Sequence, residues 1–235
     1  MVGGGEGDVL ALRRMKPVDP SGAIVFAEKA LELIDDGRYT ATYKFAVLLA
    51  LIDLCLESTR GTGQPPDVLT TRQLAEKVIE IYWAHATPFA QSAEVLRQNV
   101  HGQAEILSDI SRFRETYAPE VTAPRWQAVR AAPGRYEQLV RRIEWKLIQM
   151  PLPRLQMIGG AYRAFIYDVH WNERVRRGSV ADYQGGRTTD FDNRILLRPH
   201  VGSYLIQLNS LLRPLIQRRW AAMVASLNDL DDSRL

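Results

Sequence analysis

The chain has 235 residues, 46% of them hydrophobic, which suffices for a full core as one large domain or two small ones, and its longest apolar run, Phe45 to Cys55, is interrupted by Asp53 and too short to span a bilayer. Its single cysteine, Cys55, excludes an intrachain disulfide and any Cys-x-x-Cys zinc site; the reading is a small core residue in a protein of a reducing, cytoplasmic compartment. The net charge of +3 hides an asymmetry: residues 1–123 hold 12 basic and 17 acidic side chains, whereas residues 124–228 hold 17 and 7.

The opening MVGGGEGDVLALRRM lacks the basic-then-apolar order of a secretion signal, so residues 1–20 read as a flexible start. Ser21 to Asp36 carries Ile24, Ala27, Leu31 and Ile34 at helical spacing and stops at Gly37, a natural helix-terminating residue. After Arg38-Tyr39-Thr40 comes ATYKFAVLLALIDLCLES, apolar on nearly all sides and therefore expected at the centre of a domain. Its least apolar stripe, Ala46, Ala50, Asp53 and Glu57, suits close packing and then a cationic partner. TRGTGQPPDV reads as a loop, and Thr70-Thr71-Arg72-Gln73 supplies a capping box for a helix ending near Trp83. Thr87-Pro88-Phe89 follows, and Gly102 precedes a further helix from Gln103 to Tyr117. These elements group as a helical recognition domain over residues 21–120.

APEVTAPRW reads as a connection into a basic region, residues 121–235. Pro133 and Gly134 start a helix, Arg135 to Met150, closed by MPLPR. Its Arg141, Arg142 and Lys146 form either a solvated basic face or a phosphate grip. AFIYDVHW and RILLR have strand character, and between them lies a polar loop with Arg174, Arg176 and Arg177. Val201 to Leu227 reads as a long helix that Pro214 should kink or split. The expected class is mainly α, a helical domain with a small β-hairpin element in the C-terminal half.

Chemistry-bearing signatures are scarce. The chain has no glycine-rich phosphate loop, no Gly-x-Ser-x-Gly and no His-Glu-x-x-His. Asp168, His170, Asn193 and His200 follow the strand–strand–helix order of a one-metal nuclease, against the alternative of an ordinary hairpin with a partly exposed histidine. Pro199 and the long intervening loop fit the nuclease layout poorly, so no catalytic residue, metal or cofactor is assigned. Arginine makes up 25 of the 30 basic residues, through GC-rich codon usage or through selection for phosphate binding. Leu96-Arg97-Gln98-Asn99 sets three large hydrogen-bonding side chains in a row, of the types that read guanine and adenine edges. The competing reading pairs Arg97 with Asp53 or Glu57 and makes Asn99 a helix end.

Four stretches, RYTATYKFAVLLALIDLCLE, TTRQLAEKVIEIYWAHATPF, VLRQNVHGQAEILSDISRFR and ILLRPHVGSYLIQLNSLLRPLIQRRWAAMVASLN, together resemble the N-terminal, non-catalytic part of actinobacterial HNH endonucleases, over about residues 35–228. That resemblance implies the DNA-targeting half of a restriction-like defence enzyme, served by an HNH nuclease domain in cis or in trans. The order Arg-Tyr-x-x-x-Tyr-Lys, then Pro-Phe, then Leu-Arg-Gln-Asn is also similar to the sulfur-binding domains of phosphorothioate-dependent restriction endonucleases. On matching positions it implies a shallow pocket lined by Pro88 with Phe89 behind it, Arg38 as phosphate contact, and Tyr43 and Lys44 at the adjoining helix start. Thr87 stands where that family carries an aromatic residue, and the spacing from Phe89 to Leu96 is longer than the family's. The expected partner is double-stranded DNA, met by Arg38, Tyr43, Lys44, Pro88, Phe89, Arg97, Gln98, Asn99, Arg141 and Arg142. Two alternatives from other classes are a scaffold module docking an acidic protein and a self-contained metal-dependent nuclease.

Overall fold

The computed structural model describes residues 20–36, 40–89 and 94–231. The expected flexible start, the stop at Gly37 and Arg38 all fall outside those residues, Pro20 excepted. The fold is mainly helical with small antiparallel sheets.

Helix α2 (Tyr43–Thr62) is the centre. Every residue from Lys44 to Ile52 is buried, as its all-round apolar sequence requires. Ala46 and Ala50 are fully buried, and the carboxylates one and two turns further on find cations, Asp53 on Arg213 and Glu57 on Lys77 at 2.6 Å. Cys55 is fully buried, and that burial pushes its thiol up to about 12. The helix runs beyond the expected Ser58 into Arg60-Gly61-Thr62 and stops at Gly63, whose φ of 75° turns its N–H back onto the Thr59 carbonyl.

Helix α1 (Pro20–Asp35) forms as its spacing predicts but buries a different face. Phe26, Ala30, Leu33 and Ile34 point inward, whereas Ile24 and Leu31 are 61% and 36% exposed. Both stripes have helical spacing, and the bulky Phe26, packed at a tilt against Phe165 and Tyr204, decides between them. The capping box is present: the Thr70 hydroxyl accepts from the Gln73 N–H while the Gln73 side chain accepts from the Thr70 N–H, opening α3 (Thr71–His85).

The three-stranded sheet has the order β1–β5–β4, all antiparallel, from β1 (Val68–Thr70), β4 (Tyr167–Val169) and β5 (Arg194–Leu197). β2 (Met157–Ile158) and β3 (Ala161–Tyr162) form a hairpin across Gly159 and Gly160, both at positive φ, as a two-residue turn demands. α4 (Glu105–Tyr117) and α6 (Pro133–Gln149) lie where expected. Helix α5 (Arg125–Ala131) begins in the expected connection and runs into residues given no element, and α8 (Arg177–Gln184) lies in the expected polar loop; each buries a single residue, Ala128 and Val180, too little to leave a periodic signature. A short turn, α7 (Pro151–Arg154), replaces MPLPR. The last helical stretch does split, but at Leu208 between α9 (Val201–Gln207) and α10 (Asn209–Leu227). Pro214 sits early in α10, where few backbone bonds precede it, and is absorbed.

One hydrophobic core runs through both halves of the chain, from Phe26 to Val224. Among the described residues no helix is long and apolar enough to cross a membrane.

Candidate functional site

The Thr87-Pro88-Phe89 turn and the Leu96-to-Gln98 segment are brought together. The Thr87 hydroxyl donates to the Ala84 carbonyl at the end of α3, and the Phe89 N–H donates to the Glu94 carbonyl at 2.8 Å. Residues 95–98 belong to neither helix nor strand; they lie beside the entrance to α2, with Thr42 N–H donating to Gln98 O and Val100 N–H to Thr40 O. Asn228 at the end of α10 accepts from the Arg97 N–H and donates to its carbonyl.

These segments and α10 enclose a recess of about 520 Å³, lined by Pro88, Phe89, Leu96, Gln98, His85, Arg213, Gln217 and Trp220 among others. Trp220 is buried and near-parallel to Phe45 (6.4 Å, 20°) and to His85 (4.5 Å, 14°). His85 itself is exposed, and the covering of its inner side lowers its pKa. Arg213 binds Asp53 of α2 and Asn209 Oδ1. Sequence reasoning missed the α10 wall: Trp220 and Val224, with Ile216 a turn before, form a helical stripe that reads simply as core, and Gln217 and Ala221 flank it in the recess.

The expected readers separate. Arg97 is exposed, and its guanidinium makes no ion pair or hydrogen bond among the described residues; Asp53 and Glu57, its candidate partners, are held by Arg213 and Lys77. Gln98 turns inward, 1% exposed, its carboxamide oxygen accepting from Thr42 Oγ1 (2.7 Å) and Trp220 Nε1 (2.8 Å). Asn99 ends no helix; its Oδ1 accepts from the His101 N–H in a tight turn. Lys44 is buried and donates to the Leu33, Ile34 and Asp36 carbonyls, closing the end of α1, and burial lowers its ammonium to about 8. Tyr43 OH accepts from the Ile106 N–H, and burial raises its pKa.

A second concavity, about 420 Å³, lies between α4, α6 and α8, with Arg141, Arg142, Lys146 and Arg177 around Trp145 and Asp109. Arg141 binds Glu137 at 2.9 Å, Arg142 approaches Asp109 at 3.8 Å and Lys146 binds Glu105. Arg177 lies over the Trp145 ring at 5.9 Å.

Asp168, His170, Asn193 and His200 do not converge on one point. Asp168 pairs with Arg198, His170 stands 3.8 Å from Asp192, Asn193 donates to Tyr183 OH, and His200 caps α9 at a positive φ. Among the described residues no group of three or more His, Cys, Asp or Glu is placed to hold a metal ion.

No curated protein and no solved structure matches the chain. A family model described as a domain of unknown function, DUF8808, matches residues 28–234, which include every residue of the recess and of the basic concavity. The chain therefore belongs to the DUF8808 family.

Proposed function

We propose that the chain is the DNA-recognition module of an HNH-type, restriction-like endonuclease, and that the recess at Pro88 reads phosphorothioate-modified DNA. One observation carries the reading: Pro88, Phe89 and Leu96 wall a concave recess, and Arg97, next in the chain to Leu96, is exposed without an acid partner among the described residues. A non-bridging sulfur is larger, softer and less well hydrated than oxygen, so an apolar wall favours it, while its negative charge still calls for a nearby cation. Arg97 is that cation in this reading, and the role of Arg38 rests on the resemblance alone. The basic concavity adds a second, sequence-independent grip on phosphates.

Pro88→Ala tests it. The variant is expected to lose affinity for phosphorothioated duplex and to keep its affinity for plain duplex; equal losses on both would remove sulfur from the account. A second reading, docking of an acidic protein, draws on Glu137 and Asp109, carboxylates already seated beside Arg141 and Arg142. Salt-dependent binding to duplex DNA separates the two.

A further inference from the structure

The recess has a polar floor whose chemistry is set by its neighbours. Indole N–H only donates, so Trp220 Nε1 fixes which end of the Gln98 carboxamide is the oxygen. Thr42 also donates to that oxygen, which leaves Tyr82 OH to donate to Thr42 at 2.8 Å. The NH₂ group is what Gln98 has left to offer the recess, and among the described residues nothing accepts from it. A residue 1% exposed thus lines the recess with an NH₂ group that has no acceptor among the described residues, and an acceptor entering the recess would satisfy it.

Charge and shape narrow the acceptor. Arg213 is neutralised by Asp53, and the covering of the inner side of His85 lowers its pKa, so the floor favours a neutral ligand over a bare phosphate. Apolar and aromatic side chains line the recess beside Thr87, Arg213 and Gln217, and His85, stacked on Trp220 and met edge-on by Tyr82 at 6.1 Å, is itself exposed to a further ring. A carboxamide ordinarily matches adenine by donating and accepting together; with its oxygen occupied, this one only donates.

We infer that the recess receives a nucleobase bearing a carbonyl oxygen, such as thymine or guanine, out of its stack, with Gln98 Nε2 donating to that oxygen. This deepens the DNA-recognition reading and shares its site: the phosphate lies at the Pro88 rim and the base enters below it. An unpaired base is the easiest to admit, because no stacking or pairing has to be broken.

The test uses the full chain with two kinds of probe, free nucleosides (thymidine, guanosine, adenosine) and duplexes with a single bulged thymine or adenine. The expected result is preference for thymidine and guanosine over adenosine, and for bulged thymine over bulged adenine, by roughly five- to tenfold, the worth of one hydrogen bond. Gln98→Leu should abolish the preference. Because that residue is buried, Ala221→Trp, which fills the recess from α10, serves as the second variant and should abolish it while plain duplex still binds. Plain-duplex binding with no base preference in either probe would overturn the inference and leave the DNA reading standing. Nucleoside preference without any duplex binding would support the pocket and sink the DNA reading.

Discussion

Arg97 and Gln98 are neighbours with opposite fates: Arg97 is exposed, whereas Gln98 is 1% exposed and hydrogen-bonded inside the fold. The residue types in Leu-Arg-Gln-Asn announced hydrogen bonding, but nothing local announced that Gln98 would spend its oxygen on Thr42, 56 residues earlier, and on Trp220, 122 residues later. The two residues therefore respond differently to truncation. Gln98→Ala strands two buried donors and should cost about 1–3 kcal/mol in urea unfolding. Arg97→Ala touches no folded-state partner among the described residues and should stay within about 0.5 kcal/mol of the parent. A loss of more than about 1 kcal/mol in Arg97→Ala would reveal an internal partner and remove it as a free cation at the recess.

At the scale of elements, the capping box at Thr70 was legible because all its parts lie within four residues. Helix α8 was not, since it is held by distant partners: Tyr183 and Gln184 donate to the buried Glu144 of α6, which also accepts from Thr71. The α1 face was half legible, as the period was right and the choice of stripe depended on aromatic rings over a hundred residues away. The junction of α3 with α6 yields a pH prediction. Arg72 binds both oxygens of Glu137 (2.9 and 2.7 Å) and Arg141 adds a third bond, so chiefly Arg72 holds the Glu137 carboxyl down at about 2. A carboxyl with a depressed folded pKa stabilises fully above its unfolded value near 4.5 and loses that contribution as pH falls toward 2. Both groups are partly solvated, so the effect is small, below about 1 kcal/mol. In Arg72→Met, NMR titration should place Glu137 closer to 4.5; an unmoved titration would mean that Arg141 alone holds it.

For the whole molecule, the charge asymmetry of the sequence proves to be partly internal. Asp35, Asp53, Glu80, Glu105 and Asp109 of the acidic half pair with Arg219, Arg213, Arg125, Lys146 and Arg142 of the basic half. Composition gave the imbalance but not its pairing, which depends on packing that brings α10 against α1 and α2 and α6 against α4. Arg97, Arg177 and Arg218 make no ion pair among the described residues and remain available to an anion. If about five arginines meet phosphates, the logarithm of the binding constant should fall with the logarithm of salt at a slope of about −4 to −5. Replacing Arg141 and Arg142 together by alanine should flatten that slope by about two. An unchanged slope would assign both to the Glu137 and Asp109 contacts they already make.

The central claim, a DNA reader built around the Pro88 recess, is tested most directly by titrating the full chain with matched plain and phosphorothioated duplexes across a range of salt. The account predicts steeply salt-dependent binding to both duplexes and tighter binding to the sulfur-modified one. Absence of salt-dependent binding to either duplex would contradict it.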